Sequence, residues 1–375
     1  LGIDVARTTC SFCPKLCRHE CPTAIAEKSE VATPTFKQQL AKLAASGQLA
    51  LDAEAARAFY KCTGCNASKT PCRWKIELEP SMRDARALAV RAGVAPPEVA
   101  RVLERFKARG SPYDRDLAKD LAEVVPAEPV VRDRTRVALF PSCTSITRYQ
   151  DEVKDARTVL QATSNQKSDL AVILPDPPCC GYPLDSLGLA DAFSAHARRV
   201  AKSLAGFPRI VATGAACAFT LGVRYAEVGA RIEGTVVPLV DELAARADAI
   251  RVLRRSHVPE GGPFAYHDPC YLGRHLGRYE EPRVALAAAT GEAPRELDHA
   301  RESALCSGAG GGYPLTHPGP ARDVALRALD AFRRSEAKTL VTACPSARRM
   351  FEKADPTLRI TSVISVLADA VRTQP

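Results

Sequence analysis

Seven cysteines stand in two runs near the start of the chain, Cys10-x2-Cys13-x3-Cys17-x3-Cys21-Pro22 and Cys62-x2-Cys65-x6-Cys72, with Ser68 inside the second. Thiolates are soft ligands, and a short loop carrying three of them with a distant fourth closes around an iron–sulfur cube. Where two such runs are paired, the last cysteine of each serves the other cluster. That rule assigns Cys10, Cys13, Cys17 and Cys72 to one complete [4Fe–4S] cluster. It leaves Cys21, Cys62 and Cys65 for a second, with Ser68 where a local thiolate would stand. Three thiolates imply a [3Fe–4S] cluster, or a [4Fe–4S] cluster whose last iron takes Ser68 or solvent. Structural zinc sites also use Cys-x2-Cys knuckles, but two long runs, the first ending in Cys-Pro, favour clusters.

The other seven cysteines form two spaced sets: Cys143, Cys179-Cys180-Gly181 and Cys217, then Cys270, Cys306-Ser307-Gly308 and Cys344. An offset of 127 residues places the second set over the first, with Ser307 over Cys180, and marks an internal repeat. Matching the apolar runs before the last cysteines instead shifts the offset to 130, which puts Cys344 over Gly214 and Cys217 over Ala347. Each copy then holds a different half of a Cys-x2-Cys pair. The first copy has four thiols for a cubane or modified cluster. The second has three, which with His267 or His275 suit a Cys3His zinc site or a weakly held cluster, or are simply buried apolar cysteines. The Gly-rich segment Ser307 to Tyr313 lacks the Lys-Ser/Thr of a phosphate loop and reads as a tight turn that brings backbone close to a cluster. His19 is expected to be an exposed loop residue, and Trp74, which follows Cys72 and Arg73, to pack over the first cluster. No Ser-His-Asp order, paired-carboxylate motif or HExxH accompanies the cysteines, so substrate chemistry is expected elsewhere.

Between the cysteines of the first 110 residues run helical patterns, Thr35 to Ala45, Asp52 to Tyr60, Pro80 to Arg91 and Pro97 to Arg109, with proline where helices begin. Residues 111–134 read as a linker rich in Pro, Asp and Arg, with one short helix around Leu117 to Val124 and a boundary near residue 130. Beyond it, short β-branched runs alternate with helical stretches: Val137 to Phe140, Leu170 to Leu174, Ile210 to Thr213, Thr235 to Val237, Phe264 to Tyr266, Leu340 to Thr342 and Ile360 to Val363. That alternation predicts parallel sheets with right-handed crossovers. Cys143, Cys217, Cys270 and Cys344 then sit just past strand ends, the edge where open α/β sheets place ligands.

Composition bounds the rest. A chain of 375 residues, 46% hydrophobic and 25% charged, is globular and long enough for two to three domains at ~150 residues each. Adjacent Cys179 and Cys180 do not suit disulfides, so a reducing compartment is expected: the cytoplasm, or the cytoplasmic face of a membrane. No apolar run approaches the ~18 residues of a spanning helix and no signal-like segment opens the sequence, so a soluble chain that meets membranes only through a partner is expected. The net charge of +9 is carried by scattered arginines, which argues against nucleic-acid binding and fits a solvated surface or docking to an acidic protein or an anionic membrane surface.

The PSC at Pro141 to Cys143, CCGYPL at Cys179 to Leu184, HDPC at His267 to Cys270, CSGAGGG at Cys306 to Gly312 and TACP at Thr342 to Pro345 resemble the CCG-domain iron–sulfur proteins. These include the B-type and D-type chains of heterodisulfide reductase and the iron–sulfur subunits of anaerobic glycerol-3-phosphate dehydrogenase and glycolate oxidase. The resemblance implies an α/β protein: a helical two-cluster ferredoxin-like domain over residues 1–110, then CCG units over 135–255 and 256–375. A complete CCG unit in that family has five cysteines and can hold a noncubane cluster. Here Gly214 in the first unit, and Ser307 and Ala347 in the second, break the set.

The expected function is an electron-transfer subunit of a multisubunit oxidoreductase, with Cys143, Cys179, Cys180 and Cys217 holding the better CCG centre and Cys270, Cys306 and Cys344 a degenerate one. The resemblance implies a flavoprotein dehydrogenase, a hydrogenase, or a membrane cytochrome or quinone-reactive subunit as partner. A heterodisulfide-reductase-like catalyst and a docking scaffold are the alternatives.

Overall fold

The computed structural model describes residues 2–125, 137–164, 171–174, 176–254 and 259–372. The boundary expected near residue 130, and Leu170 of one expected strand, lie outside them.

The N-terminal part is helical. Its longer helices span Pro34–Ala45, Ala53–Phe59, Leu78–Arg91 and Pro97–Arg109. Their starts follow from local chemistry: the Thr33 side chain accepts from the Phe36 N–H ahead of Pro34, and Asp52 accepts from the Ala55 N–H. Gly110, at φ 66°, closes the last of them. Two further short helices, Ile3–Thr9 and Pro22–Glu27, escaped the sequence pattern.

Eight strands follow among the described residues: β1 Val137–Phe140, β2 Ala171–Ile173, β3 Arg209–Ala212, β4 Thr235–Pro238, β5 Phe264–His267, β6 Arg295–Glu296, β7 Thr339–Thr342 and β8 Ile360–Ser362. They form two all-parallel sheets of the same plan, β2-β1-β3-β4 and β6-β5-β7-β8. Only β6 had no counterpart in the sequence pattern, because Arg295 and Glu296 are both exposed and carry no apolar signal. The central strands are buried as parallel strands must be, with Ile210, Val211, Ala265 and Val341 fully covered.

The two sheets pack reciprocally through their helices. Gln150–Ala162 of the first lies on Val363–Val371 of the second, while its counterpart Glu280–Thr290 lies on Leu239–Ala245 of the first. The N-terminal part meets the second unit directly, since Pro22–Glu27 packs along Pro318–Arg334. Among the described residues no helix is long and apolar enough to cross a membrane.

The cysteine loops repeat with the strands. Cys143 opens a helix after β1, capped by the Ser142 hydroxyl accepting from the Ser145 N–H, and Cys270 precedes a wide helical turn after β5. Past β3 and β7 the cap residues of the next helices are Gly214 and Cys344. The register at that motif is therefore the 130-residue one, with Cys344 in the place of Gly214 and Cys217 in the place of Ala347.

Candidate metal centres

The first constellation lies at the surface. Cys10, Cys13 and Cys17 come from the turns Cys10–Phe12 and Leu16–His19, and Cys72 from the loop after Ala67–Lys69. These four are partly exposed neighbours; burial, then the thiols of Cys17, Cys72 and Cys13, push the Cys10 thiol up to about 12. Phe12 and Leu16 stand out around them at 88% and 55% exposed. Trp74 is 56% exposed, and Arg73 lies 6.0 Å from its ring.

The second constellation is buried. Cys21, Cys62, Cys65, Asn66 and Ser68 line one small cavity. Cys21 enters it as the cap of a helix that starts with Pro22, and Asn66, at φ 54°, bends the chain between Cys65 and Ser68. Both polar atoms of the Asn66 amide are buried without a hydrogen-bond partner. A buried unpaired amide is costly in an empty cavity and natural beside a cluster whose sulfurs and irons take up polar contacts.

Three buried cations surround this cavity. Lys37 Nζ lies 3.9 Å from Cys21 Sγ and donates to Thr23 Oγ1 at 3.2 Å and to the Lys61 carbonyl at 2.6 Å. Arg86 donates to the carbonyls of Phe59, Cys62 and Ser186, and Arg274 to those of Cys65, Glu302 and Ala304. Among the described residues none of the three pairs with a carboxylate, so their positive charge calls for an anionic neighbour, which thiolates on a cluster supply. Burial pushes the Cys62 thiol up, and Lys37 and Arg86 work against that rise.

In the first α/β unit the four thiols are packed together, from 0% exposed at Cys179 to 9% at Cys143. Cys179 Sγ donates to Cys143 Sγ at 3.6 Å. Cys180 lies between Cys179 and Cys217, and hydrogen bonding with these thiols holds it well below an ordinary thiol. The backbone is pinned by His196 Nε2 on the Cys179 carbonyl at 2.6 Å and by the Tyr225 hydroxyl donating to the Cys180 carbonyl at 3.0 Å. Gly214 packs close against this group: a Cβ there would lie 3.1 Å from both Cys217 Sγ and Ser142 Cβ.

In the second unit the thiols neighbour one another only through Cys270 and also meet thiols from outside the unit. Cys306 packs with Cys65 of the N-terminal part, its Sγ 3.5 Å from Thr63 Oγ1. Cys306 donates to Cys65, holding Cys65 well below and itself well above the ordinary thiol range. Burial pushes Cys270 up to about 12, with Cys65 and Cys344 as neighbours. Cys344 in turn neighbours Cys217 of the first unit. Sequence reasoning missed this placement of Cys306; the only trace was the Gly-rich segment that follows it.

The candidate zinc-ligand histidines differ, since both ring nitrogens of His267 are engaged by the protein, whereas for His275 only Nε2 is, among the described residues. His267 contacts the Leu305 carbonyl at 3.0 Å and Thr342 Oγ1 at 3.3 Å, and His275 Nε2 the Gly64 carbonyl at 2.8 Å. Among the described residues no group of three or more His, Cys, Asp or Glu forms a site for a single metal ion. Clusters spread their ligands over several irons, which suits gathered thiols better than one ion does.

Comparison with known proteins agrees with this chemistry. Residues 264–352 match the cysteine-rich domain family known as CCG. Over 334 residues, 88% of the chain, it is 26% identical to the B-type chain of the fumarate reductase (CoM/CoB) of Methanothermobacter marburgensis, covering 64% of that protein. It is 25% identical to the D-type chain of the dihydromethanophenazine:CoB–CoM heterodisulfide reductase of Methanosarcina barkeri, over 83% of this chain and 78% of the relative. An EtfAB:quinone oxidoreductase of Syntrophomonas wolfei is 26% identical over 70% of this chain and 38% of its own length.

Proposed function

We propose that this chain, a CCG-domain iron–sulfur protein related to the D-type chain of heterodisulfide reductase, passes electrons between two partners of a multisubunit oxidoreductase. Its thiols form an unbroken succession of neighbours, and that observation carries the reading. Cys10, Cys13, Cys17 and Cys72 at the surface lead to Cys21, Cys62 and Cys65, then to Cys306 and Cys270, then through Cys344 to Cys217, Cys180, Cys179 and Cys143. Clusters held by these thiols would supply the one-electron carriers. The residues around them set burial, charge and hydrogen bonding.

The thiols of the first α/β unit are too deeply buried for a disulfide substrate to reach, while electron tunnelling needs proximity rather than contact. This favours electron transfer over heterodisulfide reduction by the chain itself. One partner docks over the first cluster, where exposed Phe12, Leu16 and Trp74 are rimmed by Lys15, Arg18, Arg73 and Lys75. An apolar patch with a basic rim suits an acidic-rimmed redox protein. The name of one relative, an EtfAB:quinone oxidoreductase, puts a flavoprotein and a quinone-reactive subunit first among the candidates that the family resemblance implies.

Anaerobic reconstitution with iron and sulfide, followed by iron analysis and an EPR-monitored redox titration, tests the proposal. Three or more clusters that reduce with dithionite and reoxidise with a quinone analogue are expected. A chain holding two clusters favours the docking scaffold. Turnover of a disulfide by the isolated chain favours the catalyst, and a chain that takes up no iron overturns all of these.

A further inference from the structure

The second N-terminal centre is one thiolate short within its own run, because Ser68 stands where a cysteine would complete it. We propose that Cys306, from the other end of the chain, supplies the fourth thiolate of the centre held by Cys21, Cys62 and Cys65. The inference rests on the cluster reading above and assigns a remnant of the second CCG motif to the N-terminal centre.

Three observations carry it. First, the loop bearing Cys306 is pressed against the Cys62–Cys65 loop by backbone contact. A Cβ on Gly310 would lie 2.2 Å from the Thr63 carbonyl oxygen, and one on Gly311 2.1 Å from that of Cys62. Only glycine permits this approach, and Gly311 at φ 64° also needs the left-handed region. Arg274 ties the same two loops together, donating to Cys65 O at 2.7 Å and Ala304 O at 2.8 Å.

Second, Cys306 has the local geometry of a cluster ligand. The Gly308 N–H donates to its Sγ at 3.3 Å, as the Gly64 N–H donates to Cys62 Sγ at 3.4 Å. An N–H from two residues ahead stabilises a thiolate and tunes the cluster it binds.

Third, the site is built for a ligand. Asn66, 4% exposed, lines the cavity with an unpartnered amide, and Thr63, which Cys306 contacts, lines the same cavity. Ser68 lines it too, but a neutral hydroxyl is a poor ligand for a soft iron–sulfide centre and a thiolate a good one. On ligation an Sγ–Fe bond forms and the thiol proton leaves to solvent. Recruiting Cys306 also explains how the second unit keeps this cysteine while Ser307 and Ala347 break its own set.

The test compares the anaerobically reconstituted full chain with Cys306→Ala, Cys306→Ser, Ser68→Ala, Cys270→Ala and Cys62→Ala. The readouts are iron per chain and the EPR of oxidised and reduced states. The wild type is expected to show four-iron behaviour at this centre. Cys306→Ala is expected to lose about one iron per chain and to gain a three-iron signal in the oxidised protein, approaching one spin per chain. Cys306→Ser, which keeps the size, is expected to shift the signal even if Cys306→Ala folds poorly, with the first-unit signal as internal control for folding. Ser68→Ala and Cys270→Ala are expected to leave the centre as in the wild type.

Conversion by Ser68→Ala or Cys270→Ala with Cys306→Ala silent overturns the proposal, and so does a three-iron signal already present in the wild type. If Cys62→Ala loses no iron, the centre itself is absent and the cluster reading above fails rather than the assignment of Cys306 alone.

Discussion

The two α/β units share strand order, parallel register and reciprocal helix packing, yet they use their cysteines differently. In the first, Cys143, Cys179, Cys180 and Cys217 face one another and no thiol from outside the unit is needed to gather them. In the second, Cys306 turns to the N-terminal part and Cys344 toward the first unit. A repeated fold thus preserves the positions of its loops without preserving what those positions do. Sheet and interface are sustained by apolar burial that tolerates loss of a thiol, whereas a metal centre fails when its ligand set is broken.

The most direct challenge to this contrast is Cys180→Ala. It removes the thiol that both Cys179 and Cys217 face, and the expected loss is one whole cluster, about four irons per chain, with the N-terminal signals intact. Iron analysis with EPR decides it; a variant retaining the first-unit centre would mean that the gathered thiols hold nothing.

The next largest effect is expected where the second unit meets the N-terminal part. Gly311→Ala forces a Cβ against the Cys62 carbonyl and should destabilise the chain by on the order of 3 kcal/mol. Gly206→Ala, strained at φ 84° but with open space around its Cβ, should cost about 1 kcal/mol. Denaturant unfolding measures both, and equal costs would show that the loop contact is loose.

Acid should separate the units as well. Burial brings the His267 pKa down to about 4 against the opposing pull of the Leu305 carbonyl and Asp268, while the equivalent position in the first unit is Phe140. The unfolded chain takes up a proton near pH 6.5 and the folded chain does not, so stability falls as pH drops from about 6.5 toward 4. Between pH 7 and pH 5 the loss is expected to be on the order of 2 kcal/mol from this residue. His267→Phe should flatten that slope in pH-dependent unfolding; an unchanged slope assigns the acid sensitivity to other groups.

The smallest effect proposed concerns the buried cation. Lys37→Met removes a positive charge 3.9 Å from Cys21 Sγ and should lower the potential of the second N-terminal centre by on the order of 60 mV, a tenfold change in a one-electron equilibrium. An EPR redox titration reads it directly. A shift confined to the first-unit centre would break the assignment of Lys37 to the N-terminal one.

Much of the architecture was legible from spacing alone. Seven of the eight strands announced themselves as short β-branched runs, because strands buried on both faces must be apolar throughout. Helix starts followed proline and capping side chains at Pro34, Asp52 and Pro97, whose effects act within a turn. The CCG character of the second unit was readable from His267 to Cys270 and Cys306 to Gly312, since each motif is contiguous.

Other features were decided only by the tertiary structure. Whether Cys344 answers to Cys217 or to Gly214 depended on where β3 and β7 end, a matter of one turn that two candidate offsets left open. Cys306 reached Thr63 across 243 residues, brought there by two packed helices and a glycine loop, and no local pattern encodes a contact made by the meeting of surfaces. Spacing along a chain records which thiols are presented together by one loop; which loops then face each other is set by how whole elements bury their apolar sides.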